Sequence, residues 1–163
     1  MGGSDKQTTA ASEFEILAPV SGELVHLENT NDPAFSSRAV GDGVAVVPQE
    51  GTVCAPVSGT VAALFPTEHA LGIMSDDSSA QVMLHIGIDT VKLEGKGFHA
   101  LVAQGDHVDA GQPLVEVDFD VVRAAGFDPT VFVIVCERSE NSTLREHASG
   151  PVAVKEPVVW LSE

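Results

Sequence analysis

Short apolar runs separated by turn residues extend from Phe14 to the end of the chain, and they limit the possible folds more than any other feature. The runs are Phe14–Val20, Gly22–Leu27, Val40–Pro48, Thr52–Val57, Gly59–Phe65, His69–Met74, Gln81–Ile88, Pro113–Val117, Val131–Cys136 and Val152–Leu161. Runs that recur about every 8 to 12 residues, with Gly, Pro, Asp or Ser between them, are typical of all-β sandwiches and barrels. We therefore predict an all-β fold, an antiparallel β-sandwich or barrel.

Two stretches depart from the strand pattern and predict short helices. Val121–Ala125 can begin at an Asp120 cap and end at Gly126, and a second helix is predicted over Phe98–Gln104. Residues 1–13 are small and polar and lack an apolar segment, so we expect a disordered tail or linker there. One domain is expected over residues 14–163, a common domain size.

An internal repeat indicates duplication. Ala18-Pro19-Val20-Ser21-Gly22 recurs as Ala55-Pro56-Val57-Ser58-Gly59, each time followed by alternating apolar residues. Proline keeps the chain extended and glycine supplies a turn dihedral angle, so each copy predicts a strand-turn-strand unit. The fold is expected to contain this motif twice.

Charge and composition exclude several classes of partner. Asp plus Glu number 24 against 8 Lys plus Arg, so the net charge is −16, which repels nucleic acid. No apolar stretch approaches the roughly 20 residues that span a bilayer, so no membrane insertion is expected. Cys54 and Cys136 lie inside apolar runs and are predicted to be reduced core thiols, which favours a cytoplasmic location.

Residues 80–89 hold the candidate site. Period-two alternation places Val82, Leu84, Ile86 and Ile88 on one face and Met83, His85, Gly87 and Asp89 on the other. The polar segment 75–79 predicts a hairpin loop. If that loop is centred on Asp77, His69 lies opposite His85, with Thr67 nearby.

Three chemistries are compatible with two neighbouring histidines. One imidazole can act as a nucleophile while the other donates a hydrogen bond to the anion that forms, both can bind a metal, or both can simply be packed. A catalytic zinc site is disfavoured because neither His-x-His nor His-Glu-x-x-His occurs. The residues alone leave these alternatives open.

Several motifs resemble the glucose-type enzyme IIA component (EIIA) of the bacterial phosphoenolpyruvate-dependent sugar phosphotransferase system. They are residues 55–61 (APVSGTV), 67–70 (TEHA) and above all 84–91 (LHIGIDTV), together with residues 40–45 and 105–114. The resemblance extends from about Phe14 to Leu161. It implies a β-sandwich with a duplicated motif over residues 14–163, and a phosphotransferase component that works as a phosphohistidine carrier.

The resemblance also implies roles for individual residues. His85 accepts a phosphoryl group from phospho-HPr and passes it to a IIB domain, His69 stabilises that group, and Thr67 and Asp89 assist. An apolar ring for partner binding is implied at Phe35, Val40, Phe65, Met83 and Val91. No cofactor or metal is implied, although His69 and His85 could bind zinc adventitiously. A cytoplasmic monomer is expected, with regulated transporters or enzymes as further partners.

Two rival functions remain open at the level of sequence. Residues 105–114 (GDHVDAGQPL) also resemble a biotinyl or lipoyl carrier domain, but Lys6, Lys92, Lys96 and Lys155 all lack the context of a modified lysine. A zinc-dependent hydrolase on a related duplicated scaffold would need the His-x-His that this chain lacks.

Overall fold

The computed structural model describes residues 13–163. Its strands are β1 (Glu13–Leu17), β2 (Gly22–His26), β3 (Asp42–Pro48), β4 (Thr52–Cys54), β5 (Gly59–Leu64), β6 (Ala70–Ser75), β7 (Ala80–Ile86), β8 (Phe98–Ala100), β9 (His107–Val108), β10 (Pro113–Val117), β11 (Val131–Arg138), β12 (Thr143–Glu146), β13 (Gly150–Val152) and β14 (Pro157–Ser162). Its helices are α1 (Pro33–Ser36) and α2 (Phe119–Ala124), with 3-10 turns at Leu27–Asn29 and Thr90–Leu93.

The strands form three sheets, and the paired strands run antiparallel. The largest sheet has the order β13-β2-β3-β11-β7-β6-β5-β9, and two three-stranded sheets have the orders β1-β14-β12 and β4-β10-β8. Strand β7 lies near the middle of the largest sheet, between β11 and β6. The predicted all-β antiparallel fold is confirmed.

The largest sheet is covered on both faces around β11. Val131, Val133 and Val135 belong to the main core, whereas Phe132 and Ile134 belong to a smaller cluster with Phe35. All five residues at 131–135 are buried, which explains the unbroken apolar sequence of this strand. The smaller cluster lies on the face of the sheet that carries His85.

The sequence repeat corresponds to a reciprocal backbone contact. Leu17 N–H donates to the Pro56 carbonyl, and Cys54 N–H, the equivalent donor before the second copy, donates to the Pro19 carbonyl. The glycines that end the two copies start β2 and β5, where a Cβ would come within 2.0 Å of a carbonyl oxygen of the neighbouring strand. The two copies therefore pair with each other through equivalent backbone hydrogen bonds.

Several elements differ from the sequence predictions. The helix predicted over Phe98–Gln104 is wrong, because Phe98 and Ala100 pair with Val117 and Val115 in a sheet. The helix predicted at Val121–Ala125 begins at Phe119 instead, because Asp118 rather than Asp120 caps it. The last predicted strand is divided into β13 and β14.

Residue 13 already belongs to a strand, since Glu13 pairs with Ser162. The remainder of the tail predicted for residues 1–13 lies outside the described residues. Within residues 13–163, no helix has both the length and the hydropathy needed to cross a membrane.

Candidate functional site

The hairpin of β6 and β7 brings one histidine to the middle of the largest sheet. His85 pairs with Ala70, and Leu84 pairs with Leu71. The predicted register, with His69 opposite His85, is therefore wrong by one residue. The loop is centred between Asp77 and Ser78, because the Asp77 carboxylate accepts a hydrogen bond from Ser79 N–H and Ser78 adopts a left-handed conformation.

His69 nevertheless contacts His85, because it lies in the turn that precedes β6 and does not follow the alternation of the strand. Glu68 has a φ of 63° there, and its carboxylate accepts a hydrogen bond from Ala100 N–H. The ring centroids of His69 and His85 are 5.1 Å apart with an interplanar angle of 84°. The two imidazoles thus meet edge to face.

Each imidazole has one nitrogen with a defined partner. His85 Nδ1 lies 2.8 Å from the Gly87 carbonyl oxygen, and His69 Nδ1 lies 2.6 Å from Thr67 Oγ1. A carbonyl oxygen only accepts hydrogen bonds, so neutral His85 carries its hydrogen on Nδ1 and keeps the lone pair on Nε2. The available nucleophilic atom is therefore His85 Nε2.

The surroundings favour the neutral forms of both histidines. Burial lowers the pKa of His69 to about 4, and repulsion from His85, when that ring is protonated, contributes in the same direction. Burial also lowers the pKa of His85, although the Gly87 hydrogen bond and the charges of Asp32 and Asp89 oppose that shift. Near pH 7 the site therefore holds two uncharged imidazoles.

Aromatic rings support the pair from both sides. The Phe35 ring stacks on Phe132 at 4.4 Å between centroids and lies 5.2 Å from His85. Phe65 meets His69 edge to face at 5.5 Å. These contacts limit the rotation of both imidazoles.

The predicted partner-binding residues divide into two groups. Val40, Phe65 and Val91 have exposed fractions of 40%, 46% and 50%. Met83 is half-buried, and Phe35 is buried beneath His85 with only 5% exposed. Phe35 thus supports the histidine from inside, and three of the five residues are well exposed.

Asp89 lies near the site but forms no side-chain hydrogen bond to either histidine within the described part of the chain. It is exposed, has a φ of 63° and precedes the 3-10 turn at Thr90–Leu93.

Sequence reasoning missed two residues that act on His85, Asp32 through its charge and Gly87 through a hydrogen bond. The Asp32-Pro33 dipeptide was an available signal, since Asp32 caps α1.

Other candidate centres lie apart from this pair. A cavity of about 700 Å³ is lined by residues 48–51, 97–99 and 116–120 together with Arg123, and neither His69 nor His85 belongs to its lining. Among residues 13–163, no group of three or more His, Cys, Asp or Glu side chains is placed to hold a metal ion. Cys54 and Cys136 are both free thiols.

Comparisons with known proteins point to one family. A family model described as the phosphoenolpyruvate-dependent sugar phosphotransferase system, EIIA 1, matches residues 14–141. The chain is similar to the PTS system glucose-specific EIICBA component of Streptococcus pneumoniae, with 41% identity over 144 residues, 88% of this chain and 20% of that protein. It is also similar to the PTS system beta-glucoside-specific EIIBCA component of Bacillus subtilis, with 40% identity over 161 residues, 98% of this chain and 26% of that protein.

A solved structure has the same architecture. Glucose permease IIA from Mycoplasma capricolum matches with a TM-score of 0.83 and 35% identity, covering 91% of this chain and 95% of that chain. The curated relatives are much longer, and this chain spans about a fifth to a quarter of their length.

Proposed function

The chain belongs to the EIIA 1 family of the phosphoenolpyruvate-dependent sugar phosphotransferase system, and on that premise we propose that His85 carries a phosphoryl group between two protein partners. The observation that most supports this role is the hydrogen bond between His85 Nδ1 and the Gly87 carbonyl. It fixes the tautomer and directs the free lone pair to Nε2.

The transfer exchanges one nitrogen–phosphorus bond for another. The phosphohistidine of the donor, HPr, loses its nitrogen–phosphorus bond and recovers a lone pair, while His85 Nε2 forms a bond to the same phosphorus. No water or proton is consumed. The imidazole becomes cationic when Nε2 bonds to phosphorus, and the Gly87 carbonyl stabilises that charge by accepting from Nδ1–H.

His69 stabilises the transferred group. In this role the Thr67 hydroxyl, 2.6 Å from His69 Nδ1, donates to that nitrogen, and the hydrogen of the neutral ring is then on Nε2, available for a phosphoryl oxygen. The low pKa of His69 matters here because a neutral ring donates one hydrogen bond without forming a tight ion pair that would retain the phosphoryl group. Asp89 and Asp32 act at longer range through their charges.

The acceptor is a IIB domain, which the names of the relatives place in the same polypeptide as their EIIA and IIC parts. Val40, Phe65, Met83 and Val91 would contact donor and acceptor in turn, so one surface serves both exchanges. Positioning and hydrogen bonding suffice for phosphoryl transfer between imidazoles, so the proposal requires no cofactor or metal. We place this transfer in the cytoplasm, and a monomer is sufficient for it. Regulated transporters or enzymes would bind the same apolar surface.

Intact-mass spectrometry after incubation with phosphoenolpyruvate, enzyme I and HPr tests the proposal. We expect the wild type to gain one acid-labile phosphoryl group and His85→Ala to gain none. His69→Ala should accept the group but transfer it slowly to a IIB domain. His107→Ala is the matched control, because His107 is exposed and pairs with Asp76 away from the site. A wild type that stays unmodified with active donors, or a His85→Ala protein that gains the group, would refute the assignment.

A further inference from the structure

A cluster of charges is centred on Arg38, which follows α1 directly. One guanidinium nitrogen donates to Glu146 at 2.9 Å and to Asp42 at 3.2 Å, and the other donates to Glu28 at 2.8 Å. These carboxylates come from three parts of the chain: β12, the start of β3, and the 3-10 turn before α1. Arg38 therefore joins Glu146, which is distant in sequence, to two carboxylates that flank the arginine along the chain.

The same arginine belongs to the segment that supports His85. Its backbone N–H donates to the Phe35 carbonyl at 2.9 Å, and its φ is 63°, so the chain reverses direction directly after α1. Phe35 packs against His85, and Asp32 caps the same short helix. A four-residue helix has little stability of its own, so its position depends on tertiary contacts.

Electrostatics make Arg38 difficult to replace. Glu146 is the most buried of the three carboxylates, and its hydrogen bond is the main reason why the pKa of Arg38 is raised. Without Arg38, only Asp42 would keep an arginine partner, Arg138 at 3.4 Å, and the carboxylates of Glu28 and Glu146 would repel their acidic neighbours in a chain that already carries a net charge of −16. That repulsion would move the segment between Leu27 and Asp42 outward, together with Phe35.

We propose that Arg38 is a positioning residue: its ion pairs with Glu28, Asp42 and Glu146 hold α1 in place, so that Phe35 remains packed against His85 and the charge of Asp32 remains near it. This role rests on the proposed phosphoryl transfer. Arg38 touches neither of the two imidazoles and acts through the helix that it anchors. The forked guanidinium suits three carboxylates in a way that the single charge of lysine does not.

The test combines a structural readout with a kinetic one. Arg38→Gln is expected to weaken the nuclear Overhauser effect between the Phe35 and His85 rings in the unphosphorylated protein. It should also slow phosphoryl acceptance roughly tenfold at saturating phospho-HPr, as expected when a supporting group is misplaced. Arg38→Lys should give an intermediate rate, because it keeps the charge without the fork.

Arg123→Gln is the matched control, since Arg123 pairs with the fully exposed Asp120 and lies outside the charge cluster. It should retain both the wild-type ring contact and the wild-type rate. If Arg38→Gln does not fold, Glu146→Gln removes the most buried partner and is expected to produce the same two changes more weakly.

Two results would overturn the proposal. One is a folded Arg38→Gln protein with an unchanged Phe35–His85 contact and an unchanged rate. The other, where that variant does not fold, is a Glu146→Gln protein that is unchanged in both. A wild type that accepts no phosphoryl group would instead refute the proposed function, and the ring-contact measurement would still decide whether Arg38 positions α1.

Discussion

The two histidines at the site differ in what holds their Nδ1 atoms, and this difference assigns their chemistry. A backbone carbonyl can only accept, so it fixes the tautomer of His85, whereas the Thr67 hydroxyl can donate to His69. In the proposed phosphoryl transfer, identical side chains thereby serve as a nucleophile and a hydrogen-bond donor. Neither role needs a charged ring at neutral pH.

The low pKa of His69 predicts a specific dependence of stability on pH. The folded ring has a pKa of about 4, whereas the unfolded ring keeps its ordinary value near 6.5. Between these values the unfolded chain binds the proton, so the contribution of His69 is complete above pH 6.5 and is lost as the pH falls towards 4. At pH 4.5 we expect a loss of roughly 2 kcal/mol from this group.

Urea denaturation of wild type and His69→Gln at pH 7 and pH 4.5 measures this contribution, because the other titrating groups are common to both proteins. The wild type should lose more free energy of unfolding than the variant as the pH falls. Equal losses in the two proteins would mean that His69 titrates normally in the folded state.

The Thr67 side chain reaches His69 through its hydroxyl. Thr67→Val keeps the shape of the side chain but removes the hydroxyl that contacts His69 Nδ1. We expect phosphoryl transfer to the IIB domain to slow about fivefold, because loss of a neutral hydrogen bond is worth about 1 kcal/mol. Thr67→Ser, which retains the hydroxyl, should stay near the wild-type rate in the same stopped-flow assay, and equal rates for the two variants would contradict the role of the hydroxyl.

At the scale of elements, the end of β7 determines where the His85 hydrogen-bond acceptor lies. Gly87 has a φ of 84°, and a Cβ there would lie 2.4 Å from Thr90 Cγ2. Thr90 is fully buried, and its hydroxyl donates to the Ile86 carbonyl, so it has little freedom to move away. The turn after β7 is therefore tightly specified by a single glycine.

Gly87→Ala should consequently lower the free energy of unfolding by about 3 kcal/mol, since overpacking adds to the strain of a positive φ. Gly126→Ala is the matched control: its φ is 89°, but a Cβ there would meet nothing within 4 Å. We expect this control to lose only about 1 kcal/mol. Equal losses in urea denaturation would show that the contact with Thr90 is unimportant.

The elements also show how far sequence reasoning extends. Alternation identified β7 and the face that carries His85, because one face of that strand packs on a continuous core. It could not set the hairpin register, which depends on hydrogen bonds of Asp77 and Ser79 within the loop. The strand at Phe98 was missed because three paired residues are too few for a periodic signal, and their conformation is decided by the partner strand β10.

At the scale of the whole molecule, the duplication extends beyond the five residues visible as a repeat. Ser21 Oγ accepts from Val154 N–H, and Ser58 Oγ accepts from Ala110 N–H in the equivalent position. The turns before β10 and β14 thus contact the two copies in the same way, although their sequences have diverged. Backbone hydrogen bonds preserve this symmetry, and most side chains can form them. The sequence therefore shows the duplication over only a small part of the repeated structure.

The strongly negative net charge of the chain should affect how fast it meets its phosphoryl donor. A chain with a charge of −16 attracts a partner whose contact surface is basic, and salt screens that attraction. The association rate with phospho-HPr should therefore fall about tenfold between low and high ionic strength, while the rate at saturating donor changes little.

Local charges should account for part of this salt dependence. Asp32 and Asp89 are the carboxylates whose charges act on His85, so Asp32→Asn and Asp89→Asn should flatten it. Asn still suits both backbones, since it caps helices and tolerates a positive φ. Asp120→Asn removes an equal charge from a fully exposed position on α2 and should leave the salt dependence close to that of the wild type. If the association rates of all three variants respond equally to salt, the attraction comes from the total charge alone. If the association rate of the wild type does not vary with salt, electrostatic attraction does not contribute to its encounter with phospho-HPr.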